Sequence, residues 1–540
     1  MRRFRSFRGV ARAACVAAIL AAGVAVSDDY KPWALRDHYS FKGEYSTFMF
    51  DNQTAEWMVD VTGLGILIKD AQCEIEYADG RTLRLSSLKA VRDGRENFDG
   101  PMGKGTRFSS FFITPENLEV NVSVARMEEH PALIVHITMT NLGDKPVSIK
   151  EVRPVVFDRG TVADLGAATV LTQANMHRQG HFSVMNDGAS AGLVMFEVAK
   201  PRMTLGVGLL QSGLMNSSID LKADGKSWVG AAHCRYEPAL AIQPKTKVGS
   251  DPVWMSLFVP DKAQVSQFHA WAELQGMQAG PGAAAPAGWV TIARTAPAEE
   301  LYKVAEAWAD HSIHHVLVPG SWPSKPGSLE GRSPDYPKDM GKVADQLKSM
   351  GMKPGITFDP LATDETKEGW TIAAADGSRW LDLSKPQARE AVKKATGKLI
   401  GMGYDFFVVG ATSMPDDVLQ KMNVTRAQAN LFAFQSLGEA AGGRPVVPAP
   451  SLTLGPELAK WREAVQAMAP FAEYGVASGP LQMETEGISS VSGDLAAQIK
   501  AYSGPLEITG TPKKDVRTAV GNACCLEAPP AKAAKAGKNN

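Results

Sequence analysis

Cysteine is scarce in this chain, with five in 540 residues, at positions 15, 73, 234, 524 and 525. So few and so scattered, they exclude a fold built on disulfides, and no spacing among them suits a metal ion. The adjacent Cys524 and Cys525 cannot easily close on each other, so free buried thiols are expected ahead of a bond from one of them to a distant partner. An excess of one charge is missing too: 57 Lys and Arg stand against 58 Asp and Glu, a net charge of −1. Without a basic surface to hold phosphates, a nucleic-acid partner is excluded. Long apolar runs are absent except at the start. There Arg2, Arg3, Arg5, Arg8 and Arg12 precede an Ala/Val/Ile/Leu run over 13–26, with small residues at Gly23 and Ala25. This is the pattern of a cleaved secretory signal, so the mature protein is expected to be exported, periplasmic or extracellular, with no membrane span. Removing the five arginines takes the formal charge from −1 to −6. Cys15 lies before the apolar core of that signal and is poorly placed for a lipid anchor.

What is present is organised in two large parts. Leu118, Val120, Val122 and Val124 alternate with polar residues, and Leu133, Val135, Ile137 and Met139 repeat the pattern. Such alternation is the mark of strands with one buried face. From about Tyr39 to Leu274 the chain reads as strands throughout, with Asn141-Leu142-Gly143-Asp144 marking one reversal, and the expectation is a β-sandwich over 37–275. A Gly/Pro/Ala-rich stretch over 276–287 reads as a linker. Short apolar runs then alternate with helical patterns over 288–520, the grammar of a parallel sheet or barrel. The Pro/Ala/Lys/Gly tail over 529–540 has nothing to bury.

Pro337 to Gly410 is the most informative stretch. Val343, Leu347 and Met350 keep helical spacing up to Gly351. Lys353 to Pro360 reads as a buried strand, Leu381-Asp382-Leu383-Ser384-Lys385-Pro386 opens a second helix ending near Gly403, and Tyr404 to Gly410 is a further strand. Later strands are expected at 445–448, 476–479 and 505–509, and helices at 426–441, 457–468 and 494–502.

The wording of this stretch resembles the α-galactosidase (melibiase) clan of glycoside hydrolases. Pro337, Met340, Gly351, Lys353, Gly355, Ile356, Leu381, Asp382 and Pro386 match its barrel segments, and Trp461-Arg462, Ser478-Gly479-Pro480 and Pro505-Leu506 match shorter ones. The resemblance implies a β-sandwich followed by a TIM-type (β/α)8-like barrel, with a carbohydrate as ligand and no cofactor or metal. It also implies catalytic acids that this chain lacks. Where the family's second strand ends in a sugar-binding Asp pair, this chain has Pro319-Gly320-Ser321-Trp322, and the nucleophile segment of the fourth strand carries Val408 and Gly410.

Retaining glycoside cleavage needs two carboxyl groups about 5 Å apart, placed in a barrel at the C-terminal ends of strands. The carboxylates left at such ends are Asp359, Glu484 and Glu486, the last two read as lying in a loop. They form a relocated catalytic set, or else a turn cap and two solvated charges. Trp322 and Trp370 are candidates to stack on a sugar ring, and Trp461 with Arg462 to contact it; the alternative is that the tryptophans only pack loops on the rim. His177 and His181 are four apart in a β-rich region and do not share a helix face, and His311, His314 and His315 flank a strand start. Three functions remain open: a glycan-binding relative without the usual acids, a hydrolase using relocated ones, or a structural envelope or interaction protein. The sequence specifies neither the sugar nor an oligomeric state.

Overall fold

The computed structural model describes residues 36–524 except 275–285, 455–480 and shorter internal segments, the longest of them 158–164 and 174–179. The leader, most of the linker, the tail, Trp461, Arg462, Glu486 and Cys525 therefore lie outside the described residues, as do His177 and the strand and helix expected at 476–479 and 457–468.

The alternating apolar residues of the first part form two antiparallel sheets of nine and ten strands. Leu118–Met127 pairs with Ala132–Asn141, setting Val122 opposite Ile137 and Val124 opposite Val135. All four side chains are fully buried. They join Trp57, Phe112, Val152 and Val207 in one core between the sheets. Each such side chain contributes about 1.5–3 kcal/mol by leaving water.

One expectation for this part is corrected. The reading of strands through Leu274 fails at its end, where Ala263–Leu274 is a helix. Phe268, Trp271 and Ala272 are buried, a three-to-four-residue spacing. The fully buried Gln267 pins the helix to the ten-stranded sheet, accepting a hydrogen bond from Ser256 Oγ at 2.7 Å and donating to Ser256 O at 3.2 Å. Trp271 Nε1 donates to Leu209 O at 3.0 Å. Phe268 and Trp271 also belong to a core that continues through Val290, Leu301 and Trp308 of the second part, so the two parts share buried apolar surface.

Eight parallel strands make up the sheet of the second part: β1 (Gly288–Thr291), β2 (His315–Val318), β3 (Lys353–Thr357), β4 (Phe406–Val409), β5 (Val446–Pro448), β6 (Thr453–Leu454), β7 (Leu481–Glu484) and β8 (Leu506–Thr509). Their order is β5-β4-β3-β2-β1-β8-β7-β6. Neighbours in the chain are thus neighbours in the sheet, and β1 pairs with both β2 and β8. Among the described residues no pairing joins β5 to β6. One face carries Trp289, Leu317, Phe406, Val408 and Val447. The other carries Val290, Val316, Ile356, Phe407 and Ile508, packed under helices that include Ala298–Ala309 and Gly341–Ser349. Gly355 has to be glycine, because a Cβ there would lie 2.2 Å from the Phe406 ring.

The helices expected after β2, β3 and β5's predecessor strand form at Gly341–Ser349, Pro386–Gly401 and Arg426–Ala440. Gly351 and Gly403, at φ of +82° and +100°, turn the chain beyond the first two. Thr425 caps the third through a capping box with Gln428, and its hydroxyl donates to Leu214 O of the sandwich at 2.6 Å. The sequence reading did not anticipate the helices Asp416–Met422 and Lys514–Cys524 or the short β6.

Candidate functional site

The chain leaving β2 folds back as a tight hairpin over 322–332. Arg332 N donates to Trp322 O at 2.7 Å, and Ser324 N to Glu330 O at 2.9 Å. Gly327, at φ +78°, seats the hairpin tip against the loop after β3, since a Cβ there would lie 2.3 Å from Thr363 N. The hairpin, the β3 loop and Ser413 beyond β4 together enclose a cavity of about 310 Å³, at the lower end of the size range of small-ligand sites. It opens at the C-terminal ends of these strands, the face on which parallel α/β sheets carry their sites.

Asp359 is one wall of this cavity, and its carboxylate is occupied. Oδ1 accepts from Leu361 N at 3.0 Å. Oδ2 accepts from Thr412 Oγ1 at 2.8 Å, Ser413 N at 2.9 Å and Ser413 Oγ at 3.3 Å. Burial pushes its pKa above the ordinary carboxylate value despite these four donors. Asp359 therefore ties the β3 loop to the β4 loop. The β4 loop is in turn held from the helix Arg426–Ala440, where Arg426 Nη1 donates to Thr412 O and Met414 O, both at 2.9 Å.

Glu484 lies elsewhere on the same rim. Where the sequence suggested a loop, the structure makes it the last residue of β7, exposed and opposite Thr509 of β8. Four steps across the sheet separate β7 from β3, and Glu484 does not line the cavity at Asp359.

Trp322 lines the cavity but is fully buried, with its indole Nε1 donating to Thr357 O at 2.8 Å. Trp370 packs against Leu381, Ala388 and Val392, beside the helix Pro386–Gly401. Pro319 is buried, and a Cβ on Gly320 would touch Thr357 Cγ2 at 3.3 Å. Val408 is buried on the inner face of β4. Gly410, one residue beyond the end of β4, has no atom among the described residues within 4 Å of where a Cβ would be. The space there is open. His315 starts β2, and His311 packs on Trp308 at the end of the preceding helix, both away from the cavity. Among the described residues, no cluster of His, Cys, Asp or Glu could hold a metal ion. The thiols of Cys73 and Cys234 are free and buried.

The sequence reading missed Glu507. It sits in the middle of β8 and is 6 % exposed. Its carboxyl accepts from Trp289 Nε1 at 2.8 Å and from Gln482 Nε2 at 3.0 Å. Burial pushes its pKa up to about 7, against the pull of the Trp289 hydrogen bond. The signal was available: one charged residue between Leu506 and Ile508, in a strand of a sheet type buried on both faces.

No protein-family model and no curated protein matches this sequence. Solved structures do match. The chain superposes on an α-N-acetylgalactosaminidase of Bifidobacterium bifidum at a TM-score of 0.56 and 12 % identity, covering 90 % of this chain and 92 % of that one. For an α-galactosidase of Lactobacillus brevis the values are 0.52 and 10 %, covering 90 % and 83 %. For the GH36 α-galactosidase AgaA of Geobacillus stearothermophilus they are 0.51 and 10 %, covering 90 % and 86 %. Over nine-tenths of its length this chain therefore has the fold of a GH36-like glycoside hydrolase.

Proposed function

We propose that this chain is an exported carbohydrate-directed protein whose parallel sheet closes as a (β/α)8 barrel and holds a glycan without the retaining mechanism of α-galactosidases. The observation that carries this reading is at Gly410, where the resemblance places the nucleophile. Among the described residues nothing lies within 4 Å of where a Cβ would be, and no carboxylate occupies that space. Asp359, in the loop after the neighbouring strand, has four hydrogen-bond donors on its carboxylate and no free role as a substitute. The fold supports carbohydrate as the ligand class. AgaA has been crystallised with raffinose, and the Bifidobacterium enzyme with GalNAc.

A second reading, an active hydrolase with relocated acids, is favoured by Glu484 and Glu507. The first is an exposed carboxylate at a strand end, and the second is a buried carboxyl two register positions below on the adjoining strand, with a pKa of about 7. That value suits a general acid at neutral pH.

A hydrolysis screen of the mature protein against aryl α- and β-glycosides and natural oligosaccharides decides between them, with Glu484→Gln run alongside. The expected result is no turnover, together with saccharide-induced thermal shifts. Turnover by the wild type that Glu484→Gln abolishes would establish the second reading.

A further inference from the structure

We propose that the cavity between the β2 hairpin and the β3 and β4 loops takes an anionic saccharide, one carrying a carboxylate or a sulfate, in place of a neutral galactoside. The inference rests on the carbohydrate reading and assigns a ligand to this cavity.

A neutral sugar presents hydroxyl protons, and a site that holds it tightly needs acceptors, above all carboxylates. This cavity has one carboxylate in its wall, Asp359, whose lone pairs already take four donors from its own loops. The Asp pair that the resemblance places after β2 is replaced by Pro319 and Gly320, which have no side-chain acceptor.

Donors, in contrast, are plentiful. Lys325 and Arg332 are the two cations lining the cavity. Arg332 is neutralised by Asp335 at 2.9 Å, whereas the Lys325 ammonium has no hydrogen bond or ion pair among the described residues. Ser328 Oγ accepts from Glu330 N at 3.1 Å and lies 3.0 Å from Ser324 Oγ. If Ser324 is the donor of that pair, the Ser328 proton has no acceptor in the hairpin.

The hairpin also fixes the backbone at Lys325. Ser328 N donates to Lys325 O at 3.0 Å, and Gly327 is seated on the Thr363 backbone. The cavity is thus rich in donors, with one unpaired positive charge and an apolar wall at Pro323 and Phe358 against which a ring can lie. A ligand suited to it supplies its own negative acceptor and one apolar sugar face.

The test is titration calorimetry of the mature protein with matched pairs: oligogalacturonate against its methyl ester, and a sulfated galactan oligosaccharide against its desulfated form. Free sulfate and free acetate serve as controls. The expected result is binding of at least one anionic member, at least 10-fold tighter than its neutral partner and weakening as salt is raised. Lys325→Gln should lower that affinity about 10-fold and Lys325→Glu should abolish it, with unchanged melting temperatures because the side chain is exposed. Lys325→Arg should retain it. Which pair responds identifies the carboxylate or the sulfate as the source of the charge.

Equal binding of the charged and neutral members, indifferent to Lys325, would overturn the anionic ligand and leave the carbohydrate reading standing. Binding of free sulfate or acetate as tight as the saccharide would overturn the saccharide as the ligand of this cavity. No binding of any saccharide would overturn both readings.

Discussion

Trp289 and Glu507 face each other from paired strands inside the parallel sheet, joined by a hydrogen bond from indole Nε1 to the carboxyl Oε2 at 2.8 Å. Two donors cannot fully replace the water that an ionised carboxylate loses on burial, which is why the pKa rises to about 7 from its ordinary value of 4.5. In the unfolded chain Glu507 ionises first, so between about pH 4.5 and 7 the native state binds more protons. Stability therefore falls as pH rises through that window and levels off above it. The full effect is about 3 kcal/mol. Glu507→Gln removes the titration, so the variant should gain in melting temperature relative to the wild type as pH is raised from 4.5 to 7. A difference that stays constant across that range would show that Glu507 is ionised throughout.

The division into legible and illegible features follows from where physical constraint leaves a local trace. Strand alternation at Leu118–Val124 and helix spacing at Val343–Leu347 are imposed by one buried face each, so the sequence carries them directly. The helix Ala263–Leu274 was missed because its polar Gln267 is satisfied by Thr204 and Ser256, partners that no local window contains. β7 was missed because two of its four residues, Gln482 and Glu484, are polar and face Glu507 and Thr509 across the sheet. The site divides in the same way. That Asp359 is a carboxylate at a strand end was readable; that its lone pairs are taken by Thr412 and Ser413, more than fifty residues on, was not.

Two glycines of the sheet should respond in opposite ways to a methyl group. Gly410 has no atom within 4 Å of a Cβ, and its φ lies outside the left-handed region, so Gly410→Ala should change stability by less than about 1 kcal/mol. At Gly355 the added Cβ falls 2.2 Å from the Phe406 ring, which is packed against Trp289 with ring centroids 5.7 Å apart. Gly355→Ala is expected to cost about 1–3 kcal/mol or more through overpacking. Thermal unfolding of the two variants side by side checks the contrast. A large loss at Gly410 would mean that the space above it is filled in solution.

Asp359 separates a structural carboxylate from a catalytic one. A nucleophile or general base must direct a free lone pair at its substrate, whereas this carboxylate spends its acceptor capacity on Leu361, Thr412 and Ser413. Asp359→Ala leaves the Leu361 and Ser413 amides and the Thr412 hydroxyl without their acceptor, and should destabilise the protein by about 2 kcal/mol. Asp359→Asn keeps one carbonyl oxygen, which can stay on the Thr412 and Ser413 side, and turns only the Leu361 contact into a clash of donors, so the loss should be about half as large. Saccharide affinity should follow the same order, because the loops that Asp359 joins form the cavity wall. Melting temperature and calorimetric affinity measured on both variants test this. If Asp359→Asn melted like the wild type yet lost all binding or turnover, the carboxylate would be acting on the ligand itself.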